Sequence, residues 1–108
     1  MKYHNKKVEI DGIVFASKKE GDYYCNLKIL KKAGMVKSFE LQVPFELQPK
    51  FKHEGKTIRA IKYVADFVVN YPDGRQIVVD TKGFRTKEYL LKRKMLLYKY
   101  PDILFEEA

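Results

Sequence analysis

The sequence has 108 residues, which suffice for one hydrophobic core, and we expect a single domain over residues 1–108. Hydrophobic residues make up 45% and aromatic residues 14%, which excludes an intrinsically disordered chain, and apolar runs such as Ile77–Val79 are far too short to span a membrane. The formal charge of +8, from 22 Lys and Arg against 14 Asp and Glu, favours a polyanionic partner, nucleic acid first and an anionic membrane surface second.

The cysteine and histidine content points to a reducing compartment and away from zinc. No apolar segment follows the basic N-terminus, and Cys25 is the single cysteine, so it has no partner for an internal disulfide. His4 and His53 have no second ligand at a useful spacing, and we expect both at the surface. We therefore expect a cytoplasmic protein.

A hairpin and a helix are predicted first along the chain. Asp11–Gly12 lies between apolar-rich flanks, a pattern that predicts a hairpin over about residues 6–15. Ser17 then precedes a run with apolar residues at helical spacing, and Gly34 can end it. We expect a helix over about 18–33.

Three strands are predicted in the middle of the chain. Residues 36–47 alternate apolar and polar side chains around Pro44, which favours an edge strand or a bent strand. Residues 48–57 are polar and are interpreted as a connecting loop. The β-branched and aromatic residues over 58–71 and 75–82 indicate two strands that form a hairpin.

The C-terminal part is predicted to contain a helix and a last strand. Thr86 is a suitable N-cap, Pro101 ends the helical pattern, and Ile103–Phe105 can supply a short strand. After the first hairpin, the order of elements is αβββαβ. This order indicates an α/β fold with an N-terminal β-hairpin.

The turn between the two long predicted strands decides where their acidic residues lie. Pro72–Gly74 matches a three-residue connection, with proline at the first turn position and glycine at the left-handed bulge position. In that register Asp66 lies opposite Asp80, on the same face, and Lys82 is close to both. A two-residue loop would shift the pairing by one residue and leave the two acids unrelated.

Two carboxylates directly opposite each other on neighbouring strands repel. Such a pair needs a compensating cation or a raised pKa on one acid. Oxygen ligands without histidine suit Mg²⁺, and Mn²⁺ would substitute for it. The alternative is an ordinary surface charge cluster, in which Lys82 offsets part of the repulsion.

Glu20 is the third acidic candidate. Three residues after Ser17, it can complete a capping box, and that role alone would explain it. Its spacing from Tyr24 and Leu27 also places it on the helix face that packs against the sheet, where a carboxylate is unusual.

These residues, in this order of elements, resemble the PD-(D/E)XK nuclease superfamily. The resemblance rests on the inward Glu20, on Val64–Phe67 and on Val79–Lys82, and it covers about residues 17–106. It implies a restriction-endonuclease-like αβββαβ core.

A narrower resemblance is to small phage-encoded members and to phage junction-resolving endonucleases. Phe15–Glu20 and Ala60–Phe67 are similar to segments of such small phage proteins. Two positions depart from the superfamily pattern. Ala65 stands in the place of the signature proline, and Asp80 takes an acidic position that is often glutamate.

The resemblance also implies roles for individual residues. Glu20, Asp66 and Asp80 would ligate Mg²⁺, with the backbone carbonyl of Thr81 as an extra ligand. Lys82 would orient or help to activate water. Small relatives of this fold act as homodimers, so the resemblance also implies a dimer.

Several cations flank these residues and could neutralise phosphates on either side of a cut. They are Lys18, Lys19, Arg85, Lys87, Lys92, Arg93 and Lys94. We expect a Mg²⁺-dependent DNA endonuclease of phage type, acting in the host cytoplasm, that nicks duplex DNA or cuts branched DNA such as a Holliday junction. The alternative is a non-catalytic nucleic-acid-binding or phage assembly module on the same fold.

Overall fold

The computed structural model describes residues 6–108, which form eight strands and two helices in a mixed α/β arrangement. The strands are β1 Val8–Ile10, β2 Ile13–Phe15, β3 Ser38–Gln48, β4 Phe51–His53, β5 Lys56–Ile58, β6 Ile61–Asn70, β7 Gln76–Asp80 and β8 Leu104–Glu107. The helices are α1 Lys18–Lys32 and α2 Lys87–Lys99. In the part of the chain described, neither helix has the length and apolarity needed to cross a membrane.

A four-stranded sheet forms the centre of the molecule. Its order is β3-β6-β7-β8, in which the first three strands are antiparallel and β8 is parallel to β7. Parallel neighbours need a crossover connection, and α2 supplies it. From α1 onwards, the elements follow the predicted αβββαβ order, with the β4-β5 hairpin inserted between β3 and β6.

The two helices pack on opposite faces of the sheet. On one face, Leu27 of α1 packs with Phe67 and other buried residues of β6 and β7. On the other face, Leu96 of α2 packs with Val68 and Val78. Both faces are therefore apolar layers, in which a charged side chain needs a compensating partner.

Local signals account for the helix starts and the first hairpin. Ser17 Oγ accepts a hydrogen bond from the Glu20 N–H at 3.1 Å, and Thr86 Oγ1 accepts one from the Tyr89 N–H at 3.0 Å. Asp11–Gly12 has φ values of 54° and 76°, as the predicted two-residue turn requires. These three predictions are confirmed.

The prediction of a loop over residues 48–57 was wrong. There β4 and β5 form an antiparallel hairpin, and its turn is Glu54–Gly55, with φ values of 50° and 77°. Each strand has three residues, too few for an alternating pattern to be recognised among lysines. The strand predicted to start at residue 58 consequently begins at Ile61.

The first strand of the central sheet continues through Pro44. Because β3 lies at the edge of the sheet, a residue without an N–H donor is tolerated there. The edge-strand interpretation is confirmed.

The side chains of β3 and β6 change faces in the middle of the sheet. Leu41 and Phe67 pack in the α1-side core, whereas Val43 and Ala65, two residues away, pack in the α2-side core. Residues two apart in a regular strand would share a face. The pairing register is the same on both sides of this point, so the strands rotate without slipping. Gln42, inside β3, has φ 51° and lies at the point of this rotation.

Candidate functional site

The candidate site lies where β6 and β7 separate. Their pairing ends at Phe67 and Val79, in the register of a three-residue turn. Gly74 has φ 95°, as the bulge position of that turn requires. The next pair in this register is Asp66 and Asp80, so the predicted register is confirmed.

A side chain replaces the backbone hydrogen bond at this point. The Asp66 N–H donates to Asp80 Oδ1 at 2.9 Å. The Asp66 Oδ2 atom accepts from the backbone N–H of Thr81 at 2.9 Å and from its hydroxyl at 3.1 Å. Each carboxylate is therefore bonded to the opposite strand, and together they occupy the fork between β6 and β7.

Asp80 is completely buried, and its Oδ2 atom has no hydrogen-bond partner among the described residues. Burial raises the pKa of this carboxyl above its ordinary value. The Asp66 N–H and the Lys82 charge act in the opposite direction, and Glu107 adds to the increase. Keeping an unpaired buried oxygen charged is unfavourable, and a cation next to it would remove that penalty.

Glu20 is also buried, with 5% of its surface exposed, at the start of α1. Its Oε2 atom accepts a hydrogen bond from Gln42 Nε2 at 3.0 Å. Burial raises the pKa of the Glu20 carboxyl, and the negative charge of Asp66 raises it further, while Lys82 lowers it. The carboxylate of Glu20 therefore has partners on two sides, the Gln42 amide of the sheet and the backbone of Ala16 before the helix, and the latter hydrogen bond lowers its pKa.

Sequence reasoning missed Gln42. It lies on β3 opposite Asp66, at the position where the strand faces change. The other non-glycine residues with positive φ in the described chain, Asp11 and Glu54, lie in two-residue turns, whereas Gln42 is inside a strand. A left-handed conformation costs a non-glycine residue roughly 1–2 kcal/mol. The sequence signal was only a polar residue in an alternating strand, which is ordinary.

The predicted acids line three cavities around the fork. Glu20 and Asp66 share two of them, one of about 380 Å³ that Gln42 also lines, and Asp80 lines the third. The other cavity that Glu20 and Asp66 share is a cleft of about 640 Å³ beside the start of α1. Asp80 lines a smaller cavity of about 230 Å³ beside α2, together with Tyr63. The expectation of one shared face is therefore not met by Asp80. The rotation of β6 turns Asp66 towards α1, while Asp80 stays on the α2 side.

Lys82 lines both the cleft beside α1 and the smaller cavity beside α2. Its Nζ lies 5.0 Å from the centroid of the Tyr89 ring. Its positive charge lowers the pKa of both Glu20 and Asp80. The backbone carbonyl of Lys82 accepts a hydrogen bond from Lys19 Nζ at 3.4 Å, which places a second ammonium at the cleft.

The donor set suits a divalent cation, although the donors are not gathered at one point. Among residues 6–108, no three His, Cys, Asp or Glu side chains are arranged so that they could hold an ion. The chemistry nevertheless fits Mg²⁺, because the available ligands are carboxylates and backbone carbonyls and because the buried Asp80 Oδ2 is unpaired. Binding one ion with all three acids would require side-chain rotation.

The predicted phosphate-binding cations fall into separate groups. Lys18 and Lys19 line the cleft, Lys92 lines the smaller cavity, and Lys87 and Lys94 are exposed on α2. Arg85 and Arg93 instead form ion pairs with Glu107. Lys18 and Lys92 also form ion pairs, with Asp22 and Glu88 of their own helices.

Glu107 is a second residue that sequence reasoning missed. Its carboxylate accepts hydrogen bonds from Tyr89 Oη and Arg93 Nη1, both at 2.6 Å, and also from Arg85. The hydrogen bond from Tyr89 is the main reason that the pKa of Glu107 lies below its ordinary value. Parallel pairing of β8 with β7 places Glu107 beside Asp80. Only the crossover brings these two residues together, and no local pattern indicates it.

The remaining candidate ligands are peripheral. His53 is exposed on the β4-β5 hairpin, as predicted, with its Nε2 atom 3.2 Å from Glu54 Oε2. Cys25 is half-buried on α1. The prediction for His4 falls outside the described residues.

A family model described as a protein of unknown function, DUF1064, matches residues 1–106, so the chain belongs to the DUF1064 family. No curated protein and no solved structure matches the chain.

Proposed function

We propose that this member of the DUF1064 family is a Mg²⁺-dependent endodeoxyribonuclease that hydrolyses phosphodiester bonds at the β6-β7 fork. The observation that supports this most directly is Asp80, which is completely buried with an unpaired carboxylate oxygen beside Asp66 and Lys82. A purely structural buried acid normally has its oxygens satisfied. An unsatisfied buried carboxylate oxygen next to a second acid is stabilised when a cation binds beside it.

Three carboxylates would hold the ion, those of Glu20, Asp66 and Asp80, with the Thr81 carbonyl as a further ligand. The bound ion would lower the pKa of water and neutralise the charge that develops on the phosphoryl oxygens. Asp66 can bind the ion through Oδ1 while it stays hydrogen-bonded to Thr81, because Oδ2 accepts both hydrogen bonds from Thr81.

Lys82 would position the attacking water or the scissile phosphate. Lys82 lines the cleft beside α1 and the smaller cavity beside α2, and the Tyr89 ring lies next to its ammonium. Lys18 and Lys19, at the edge of the cleft, would contact the flanking phosphates. These residues bind and orient the substrate, and none of them needs to act as a histidine-like base.

The expected substrate is duplex or branched DNA cut with little sequence preference. A domain of 108 residues has little surface left for reading base edges beside its active site. A homodimer would present two sites, which suits cleavage of two strands of a junction.

The test is cleavage of linear duplex, nicked duplex and four-way-junction DNA with Mg²⁺, with Mn²⁺ and with EDTA. We expect scission with either metal and none in EDTA. The variants Asp66→Asn and Asp80→Asn should be inactive, while Asp102→Asn, a matched change at an exposed position remote in sequence from the fork, should stay active. Metal-independent scission would contradict the proposal, as would full activity of Asp80→Asn.

A non-catalytic nucleic-acid-binding or phage assembly module is the second candidate, because the three acids do not converge in the described structure. Such a module would bind DNA in a salt-dependent manner without regard to Mg²⁺. Absence of scission, together with unchanged affinity in EDTA, would favour it over the nuclease.

A further inference from the structure

The β4-β5 hairpin has no packing role that explains it. All six of its strand residues are exposed, and the two strands form a sheet of their own, separate from the central one. A two-stranded hairpin is marginally stable by itself in water. An element of this kind, inserted between two long strands of the main sheet, is therefore a candidate for a binding role.

The hairpin segment, residues 49–59, is strongly basic. Four cations, Lys50, Lys52, Lys56 and Arg59, stand against the single acid Glu54. The acid lies in the turn. The sides of the hairpin therefore present positive charge along their whole length, which is complementary to a polyanion.

The two faces of the hairpin differ. Lys52 pairs with Thr57, and alternation places Lys50 and Arg59 on the same face as this pair. On the other face, Phe51 pairs with Ile58, and both are exposed. One face is thus polar and cationic, and the other combines an apolar pair with the cation of Lys56.

The hairpin also has a defined position relative to the fork. It joins the end of β3 to the start of β6, where Gln48 pairs with Ile61. Ile61 lies five positions before Asp66 on β6, which is about 16 Å of extended strand. Along duplex DNA, with a rise of about 3.4 Å per base pair, this equals roughly five base pairs.

We propose that the β4-β5 hairpin is a DNA-binding arm that contacts the phosphate backbone of duplex DNA about half a helical turn from the β6-β7 fork. The identification of the polyanion as DNA rests on the proposed function. A two-stranded ribbon has dimensions that a DNA groove accepts, and the cation-rich face supplies the contacts to phosphates. The arm would enlarge the footprint of a chain that has little other surface for DNA.

The test compares two triple variants with the same change in charge. The arm variant is Lys50→Gln/Lys52→Gln/Lys56→Gln. The control is Lys31→Gln/Lys32→Gln/Lys37→Gln, three exposed lysines at and after the end of α1. Both are made in the Asp80→Asn background, so that binding is measured without cleavage, on duplex DNA between about 50 and 200 mM salt.

We expect the arm variant to reduce the slope of log affinity against log salt by roughly 3, about 0.9 for each lost phosphate contact. The control should change the slope by much less. Without the arm changes, the Asp80→Asn protein should bind long duplexes more tightly than duplexes too short to reach the arm, and the arm variant should lose this difference. Equal slopes for the two triple variants would overturn the proposal.

Other outcomes separate this inference from the proposed function. A chain that never cuts DNA, but whose DNA binding depends on the arm lysines, would contradict the nuclease and leave the arm in place. Cleavage and DNA binding that are both indifferent to the arm variant would overturn the arm alone. Loss of binding to anionic lipid vesicles, with DNA binding intact, would also overturn it and assign the Phe51–Ile58 pair to a membrane surface.

Discussion

The side-chain amide of Gln42 donates a hydrogen bond to the carboxylate of Glu20 at 3.0 Å. The contact joins the edge strand β3 to the first turn of α1. Among the non-glycine residues that the structure describes, Gln42 is the one with a positive φ inside a strand. Strained backbone at such a position is often retained because it aims a functional side chain. Here it aims an amide at one of the three candidate metal ligands.

Replacing Gln42 should therefore separate the cost of its strained backbone from the effect of its side chain on metal binding. We expect Gln42→Ala to weaken Mn²⁺ binding about 10- to 100-fold, because it removes the group that orients a ligand. Gln42→Gly should weaken it equally, yet should recover roughly 1 kcal/mol of unfolding free energy relative to Gln42→Ala, because glycine adopts positive φ freely. Titration of Mn²⁺ without DNA, and chemical denaturation, measure the two effects.

The matched control for this pair is Gln48→Ala, at the far end of β3. It should leave Mn²⁺ affinity unchanged. Unaltered metal affinity in both Gln42 variants would show that the contact with Glu20 serves only the fold.

The raised pKa values of Glu20 and Asp80 predict how stability depends on pH in the metal-free protein. A carboxyl whose pKa is raised by folding binds its proton more tightly in the folded chain. The contribution of these two carboxyls to the free energy of unfolding therefore falls as the pH rises above their ordinary pKa values of 4.5 and 3.8. We expect Asp80→Asn to stabilise the metal-free protein by about 1 kcal/mol at neutral pH, because it removes a buried charge.

This gain should shrink as the pH falls towards 3.8, where the wild-type Asp80 carboxyl takes up its proton in both states. Urea denaturation at a series of pH values measures it. A destabilised Asp80→Asn protein at neutral pH would mean that the charge of Asp80 is already compensated within the chain.

A divalent metal ion should offset the destabilising effect of the buried Asp80 charge. At a free Mg²⁺ concentration about ten times the dissociation constant, binding to the folded state adds about 1.4 kcal/mol, which raises the melting temperature of a domain of this size by several degrees. We expect this shift for wild-type protein without DNA, and none for Asp80→Asn. Thermal denaturation with Mg²⁺, Mn²⁺ and EDTA is the measurement, and an equal shift for the two proteins would place the metal elsewhere.

Glu107 should stabilise the C-terminal end of the sheet by organising Tyr89 and two arginines. We expect Glu107→Gln to lower the free energy of unfolding by about 1.5–3 kcal/mol, the usual range for hydrogen bonds to a charged group. The pKa of Glu107 is lowered by these partners, so its stabilising effect is complete above 4.5 and is lost as the pH falls through the lowered value.

The neighbouring change Glu106→Gln, at an exposed position on the same strand, is the control and should have little effect. Denaturation of both variants at neutral and acidic pH tests the prediction. Equal stabilities of Glu107→Gln and wild type at neutral pH would contradict it.

Residues close together in the sequence were sufficient to predict where the helices start and how β6 and β7 pair. Ser17 and Thr86 identify the helix starts because capping depends on residues three apart. Pro72–Gly74 specifies the register of β6 and β7 because the turn type fixes which residues pair. The sequence by itself therefore determined the order of the elements other than the β4-β5 hairpin, and the meeting of Asp66 with Asp80 at one fork.

Only the tertiary structure decided the faces and the distant partners. Asp66 turns towards α1 at the point where Gln42, on the neighbouring strand, takes a positive φ, a conformation for which glutamine has no local preference. Glu107 reaches Asp80 because a helical crossover brings β8 alongside β7. The alternation of side chains along one strand cannot predict the orientation of Asp66 or the position of Glu107, since both depend on contacts between segments that are far apart in the chain.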